Sequence, residues 1–152
     1  MLIALVAGCD SRKIGELEEG VSTEADVRKR FGEPAATYAA ADGSHTLEYP
    51  RQPEGQRNYM ITIGPDGRMS ALRQVLKAEN FAEVTAGLDK AQVRRLLGRP
   101  AATQAYPLKA EEVWDWRFLD AGASKLFSVT FDREGRVITT AMTADPRDNP
   151  GG

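Results

Sequence analysis

Few residues of this chain are equipped for chemistry. His45 is the only histidine and Cys9 the only cysteine, the base and nucleophile that a hydrolase would need. They stand far apart with no motif joining them, and His45 opens the stretch HTLEYP, which reads as a strand. A solvated or half-buried strand histidine is therefore expected. The sequence has no HExxH, no paired CxxC and no Gly-rich phosphate loop, so neither a metal nor any other cofactor is implied. The chain reads as a non-enzyme without a small-molecule substrate.

A second group is aromatic. Trp114, Trp116 and Phe118 alternate with Asp115 and Arg117, so one strand face carries rings and the other carries charge. Rings at period two form either core or a binding stripe. Trp114 is expected to pack under a helix. Trp116, Asp115 and Arg117 are the candidate protein-binding residues, the two charged ones as a pair or as part of a contact surface on the open face. Asp66, Arg68, Arg133, Glu134 and Arg136 lie at hairpin tips, where charge serves solubility.

The elements that must position these residues are stated twice. VRKRFGEPAAT begins at Val27 and VRRLLGRPAAT at Val93, 66 residues on (93 − 27 = 66). In both, an apolar helix face runs into Gly32 or Gly98, and Pro34 or Pro100 prevents continuation. Thr23 with Asp26, and Asp89 with Gln92, supply a capping box at the start. Upstream, residues 13–21 parallel 80–88, each an apolar pair at i, i+3 ending in Gly, and each reads as one short helix.

Downstream, HTLEYP parallels VWDWRF, and YMITIGPDGRM parallels FSVTFDREGRV. The alternation of Tyr59, Ile61 and Ile63, and of Phe127, Val129 and Phe131, marks half-buried strands, and the PDGR and REGR turns mark hairpins. The fold class expected is α+β: two tandem α-α-β-β-β units, with antiparallel sheets and helices packed on one face. The units span residues 10–75 and 76–144, after a leading segment at 1–9. Residues 145–152, DPRDNPGG, read as a disordered tail.

Bulk properties set the outer limits. The chain has 152 residues, of which 41% are hydrophobic and 28% charged, with a formal net charge of −2. That is an ordinary globular balance, with no basic stripe and few aromatics, so no nucleic-acid partner is expected. No apolar run approaches the roughly 18 residues of a membrane-spanning helix.

Leu5, Val6, Ala7, Gly8 and Cys9 together resemble a bacterial lipobox. The resemblance implies that Cys9 becomes a lipidated mature N-terminus, residues 1–9 being the remnant of the signal. Only eight residues, none basic, precede Cys9, so this reading places the true start upstream. The alternative is a buried cysteine on a short apolar first element.

The helix ending in GV or GL, the capped helix ending FGEP or LGRP, the aromatic strand and the hairpin resemble the BamE (SmpA/OmlA) lipoprotein domain. In duplicated form they resemble β-lactamase-inhibitor-like proteins. BamE has one such copy, and a Tyr- and Gln-Gly-rich segment where this chain reads DSRKIGELEEG.

The resemblance implies a lipid-anchored envelope protein that binds or scaffolds, supporting outer-membrane protein assembly or envelope integrity. Its partners would be the membrane, through the anchor, and an envelope protein, with the β-barrel assembly machinery as one candidate. The implied location is the periplasmic face of the outer membrane. Asp10, following the lipidated position, resembles an inner-membrane retention signal and gives the alternative location. The alternative function is that of an inhibitor clamping an enzyme.

Overall fold

A helix leaves its first N–H groups without partners unless something folds back to accept them. Two helices of this chain solve that in the same way. In the computed structural model, which describes residues 4–148 and the side chains from residue 10 onward, α2 (Glu24–Phe31) starts at Thr23. The Thr23 hydroxyl accepts from the Asp26 N–H, and the Asp26 carboxylate accepts from the Thr23 N–H. Helix α4 (Lys90–Leu97) repeats the box with Asp89 and Gln92. Both end at a glycine with positive φ, 81° at Gly32 and 78° at Gly98, whose N–H bonds to the carbonyl four residues earlier.

Each capped helix belongs to one of two compact units. The first comprises Met1–Tyr49 and Met60–Arg73, the second Pro50–Tyr59 and Gln74–Gly152. One four-stranded antiparallel sheet has the order β1 (Ala36–Ala39), β2 (His45–Pro50), β3 (Asn58–Ile63), β4 (Met69–Gln74). The other has the order β5 (Ala102–Tyr106), β6 (Glu111–Asp120), β7 (Ala123–Phe131), β8 (Val137–Ala144). The expected α+β class is present.

The strand count differs from expectation by one per sheet. The chain leaves each Gly-x-Pro stop directly into β1 or β5, which pairs with the next strand, Ala36 opposite Glu48 and Ala102 opposite Asp115. These short strands are small-residue and mostly exposed, so no apolar alternation announces them.

The first helices also differ. Helix α1 (Ala4–Gly15) begins well before residue 13, through the segment expected to be signal remnant, and it stops at Gly15 rather than running to Gly20. Helix α3 (Ala78–Phe81) is a single turn. The i, i+3 apolar pair survives without a continuous helix, because the turn in which the Val84 N–H bonds to the Phe81 carbonyl buries both side chains.

Beyond them, Gly20 donates to the Met69 carbonyl as Gly87 does to that of Val137. Met69 and Val137 in turn donate to Ser22 and Leu88, each just before a helix cap. Ser22 therefore stands where Leu88 stands, and the extra residue of the first unit is the exposed Val21.

The cores lie between helix and sheet. In the first unit Val27 and Phe31 of α2 are buried with Leu47, Tyr49, Ile61 and Ile63, and the Phe31 and Tyr49 rings lie 5.3 Å apart. In the second, Phe81 stacks on Phe127 at 4.2 Å and meets Phe118 edge-on at 4.7 Å, with Val93, Leu97, Trp116 and Val129 around them.

The tail is ordered further than its composition suggests. Residues 146–148 form a turn, and Asp145 is fully buried against Arg117. Residues 149–152 lie outside the described residues.

Glycine is required at both helix ends, and more strictly at one. Positive φ with ψ near −158° or −172° is a region essentially confined to glycine. A Cβ on Gly32 would meet nothing within 4 Å, whereas one on Gly98 would lie 2.9 Å from the Asn58 Nδ2. Asn58 is fully buried and donates to the carbonyls of Leu97 (2.7 Å) and Arg99 (3.0 Å), so it has no free direction of retreat. Gly32→Ala should cost about 1–3 kcal/mol of backbone strain. Gly98→Ala should cost more, and urea midpoints of the two variants check the order; equal midpoints would mean that Asn58 yields without loss.

Candidate functional site

Strand β6 carries the residues that the sequence singles out, and pairing places them on two faces. Trp116 lies opposite Phe127, and Arg117 opposite Leu126. Trp116 is 0% exposed, its ring among Trp114 and Phe127 and its Nε1–H donating to the Gly98 carbonyl at 3.0 Å. It closes the end of α4 and offers no surface.

Arg117 is 8% exposed and paired with the buried Asp145 carboxylate. Burial pushes the guanidinium below its ordinary pKa, and the Asp145 charge opposes that shift. The Gln52 side chain closes the strand beside it: the Arg117 N–H donates to Gln52 Oε1, and Gln52 Nε2 donates to the Arg117 carbonyl, both at 2.9 Å. Arg147 adds bonds to the carbonyls of Pro53 and Glu54. Asp115 accepts from the Ser128 hydroxyl on β7. Of the three expected protein-binding residues, Trp116 and Arg117 are therefore interior, and Asp115 is half-buried with a partner on its own sheet. The expected Asp115–Arg117 pair does not form; each takes its partner from elsewhere in the unit.

His45 has a partner that spacing within one motif does not reveal. Its Nε2 lies 3.1 Å from Glu24 Oε1, at the first residue of α2, where Arg28 also binds. The second unit makes the same connection with other chemistry: Lys90, first residue of α4, pairs with Glu112 of β6. Lys90 also lies 5.8 Å from the Trp114 ring centroid and 5.7 Å from that of Phe131, and Trp114 Nε1 donates to Glu112 at 3.0 Å. The 66-residue spacing sets Glu24 over Lys90. The equivalent bonds of Tyr49 to Gly32 and Trp116 to Gly98 align HTLEYP with EVWDWR, one residue earlier than VWDWRF, which sets His45 over Glu112. His45 ties a strand to a helix start.

Cys9 falls within α1, and its side chain is outside the described ones. Among the described residues no His, Cys, Asp and Glu group could hold a metal ion, and no helix is long and apolar enough to cross a membrane. What sequence reasoning missed is the exposed surface of the second unit: all of β5, including Tyr106, and all of β8 beyond Val137.

No family model matches the chain, and no curated protein matches it. Solved structures that are similar to it include the following three. A protein named as the osmotically inducible lipoprotein OsmE is 24% identical, over 46% of this chain and 82% of its own, with a TM-score of 0.41. The DUF4309 family protein YjgB of Bacillus subtilis is 19% identical over 90% and 93%, with a TM-score of 0.34. A protein of Streptococcus mutans named as a β-lactamase inhibitor protein is 11% identical over 89% and 95%, with a TM-score of 0.39. Similarity of this depth leaves activity and partners to the chain's own residues.

The helix–strand ties give a pH dependence. The hydrogen bond from Lys90, then that from Trp114, holds Glu112 below the usual carboxylate range. A carboxylate depressed in the folded state contributes stability that is fully present above its unfolded pKa of about 4.3, and loses it as pH falls through the lower folded value. Glu112→Gln should therefore lower the unfolding free energy from denaturant titration at pH 7, by an amount on the order of 1 kcal/mol or less for a part-exposed pair. The two curves should converge as the medium is taken below pH 4. A difference that persists undiminished in acid would assign the effect to packing.

Proposed function

We propose that this chain is a non-enzymatic lipoprotein of the cell envelope, built from two BamE-like units and held by a lipid on Cys9. The observation that carries the reading is the stretch Leu5-Val6-Ala7-Gly8-Cys9, where small residues admit a signal peptidase directly before a cysteine. A single acyl chain binds a membrane marginally, and each buried CH₂ contributes about 0.8 kcal/mol, so two or more chains dominate the partitioning of a polar domain.

The folded part then serves as a binding or scaffolding module at the periplasmic face of the outer membrane, supporting outer-membrane protein assembly or envelope integrity. The burial of Trp116 and Arg117 moves the contact surface to the exposed strands of the second unit. Asp10 keeps the inner membrane as the competing location.

Detergent-phase partitioning tests the anchor. The wild-type gene with its full upstream sequence should yield protein in the detergent phase, and Cys9→Ser should move it to the aqueous phase. Equal solubility of the two would remove the lipoprotein reading. Density-gradient fractionation separates the locations: a peak with the inner-membrane marker, shifted outward by Asp10→Ser, would replace the outer-membrane assignment. Stoichiometric inhibition of a β-lactamase by the purified chain would replace scaffolding with the inhibitor role.

A further inference from the structure

The two sheets end differently. Strand β4 is the last strand of the first sheet, and its exposed edge is blunted by charge. The Glu19 carboxylate accepts from the Leu72 N–H at 3.2 Å and pairs with Arg73 of the same strand. A buried or charged edge is the usual protection against pairing with another chain.

Strand β8 is the last strand of the second sheet and has neither device. Gly20 and Gly87 occupy equivalent places, so Glu19 corresponds to Ala86. Met69 and Val137 do likewise, so Leu72 corresponds to Thr140 and Arg73 to Ala141. The carboxylate and the guanidinium of the first unit are both alanine in the second.

Val137 has its outward N–H and C=O taken by Leu88 and Gly87, and what remains beyond it is a seven-residue edge, ITTAMTA, with no charge and no proline. Every residue after Val137 is exposed, Ile138 at 46% and Met142 at 52%. The Asp145 N–H bonds inward to the Ser124 carbonyl on β7, so antiparallel alternation aims the N–H groups of Thr140, Met142 and Ala144 away from the sheet. Among the described residues none of these groups has a partner on the outer side.

We infer that β8 is a self-association edge, pairing antiparallel with β8 of a second copy of this chain about a two-fold axis at Ala141. The sequence is complementary to itself in that register. Thr140 and Met142 face Met142 and Thr140 of the other copy, exchanging their outward N–H and C=O groups. Thr139 faces Thr143, a favourable cross-strand pair, and no like charges meet at any position. The pairing joins two four-stranded sheets into one of eight strands, and it is isologous and therefore closes at two copies. It is independent of the lipid anchor.

Sedimentation velocity over a concentration series, with reductant present to exclude a Cys9–Cys9 bridge, tests it. Wild type should move from one chain mass of 16.6 kDa to twice that value. Amide exchange at Thr140 and Met142 should slow as the dimer fills. Ala86→Glu with Ala141→Arg, which installs the charges of the first unit, should weaken association about tenfold or more while keeping the thermal midpoint. Thr140→Pro, which removes one outward N–H from an edge position that tolerates proline, should do the same. A wild-type protein that stays at a single chain mass throughout overturns the proposal, as does association of both variants at wild-type strength.

Discussion

A helix that stops at glycine exposes carbonyls that can no longer find a partner within the helix, and the fold of each unit depends on supplying one from the sheet. Tyr49 does so in the first unit, its hydroxyl donating to the Gly32 carbonyl at 2.9 Å, and Trp116 in the second, through its indole N–H to Gly98. Both are aromatic residues of the second strand, almost wholly buried. Burying such a ring requires that its polar tip be satisfied, and the glycine stop requires a donor. Each meets the need of the other, and the meeting fixes where the helix lies on the sheet. The aromatic stripe that resembles a binding surface is accounted for by this constraint.

A second layer of order comes from segments that composition describes poorly. The polar residues after Pro50 belong with the second unit, where Gln52 completes the backbone of Arg117 and Asn58 receives the end of α4. The first described tail residues join them through Asp145 and Arg147. A buried guanidinium–carboxylate pair contributes little net stability against an apolar replacement, yet removing one partner leaves a charge without compensation. The arrangement therefore specifies position more than it adds strength.

Legibility in the sequence followed the range of the interactions. Capping boxes, glycine stops and hairpins are local, and Thr23, Asp89, Gly32 and Gly98 announced them with their correct roles. Strands β1 and β5 carry too little apolar surface to set up a period of two, and they exist because a neighbour supplies hydrogen bonds. The stretch at 80–88 has the right apolar spacing for a helix, but Phe81 and Val84 are buried by a single turn and the residues after it. Arg117 looked like surface because charge on the open face of a strand usually is; its partner lies 28 residues on (145 − 117 = 28), in a tail whose composition suggests disorder. The role of His45 was readable only by laying the two halves over each other.

The swapped polarity of the helix–strand ties has a consequence for how such a chain sorts itself while folding. Two halves with nearly the same apolar phrase offer each helix two similar seats, since Val27 and Val93, and Phe31 and Leu97, are buried apolar residues at matching positions. Charge separates the seats. Helix α2 laid on the wrong strand would bring Glu24 against Glu112, and α4 on the other would bring Lys90 against His45, so an exchanged arrangement forfeits two attractions and gains a repulsion between carboxylates. The contacts that hold each half together thus also favour the native seat of each helix over the exchanged one.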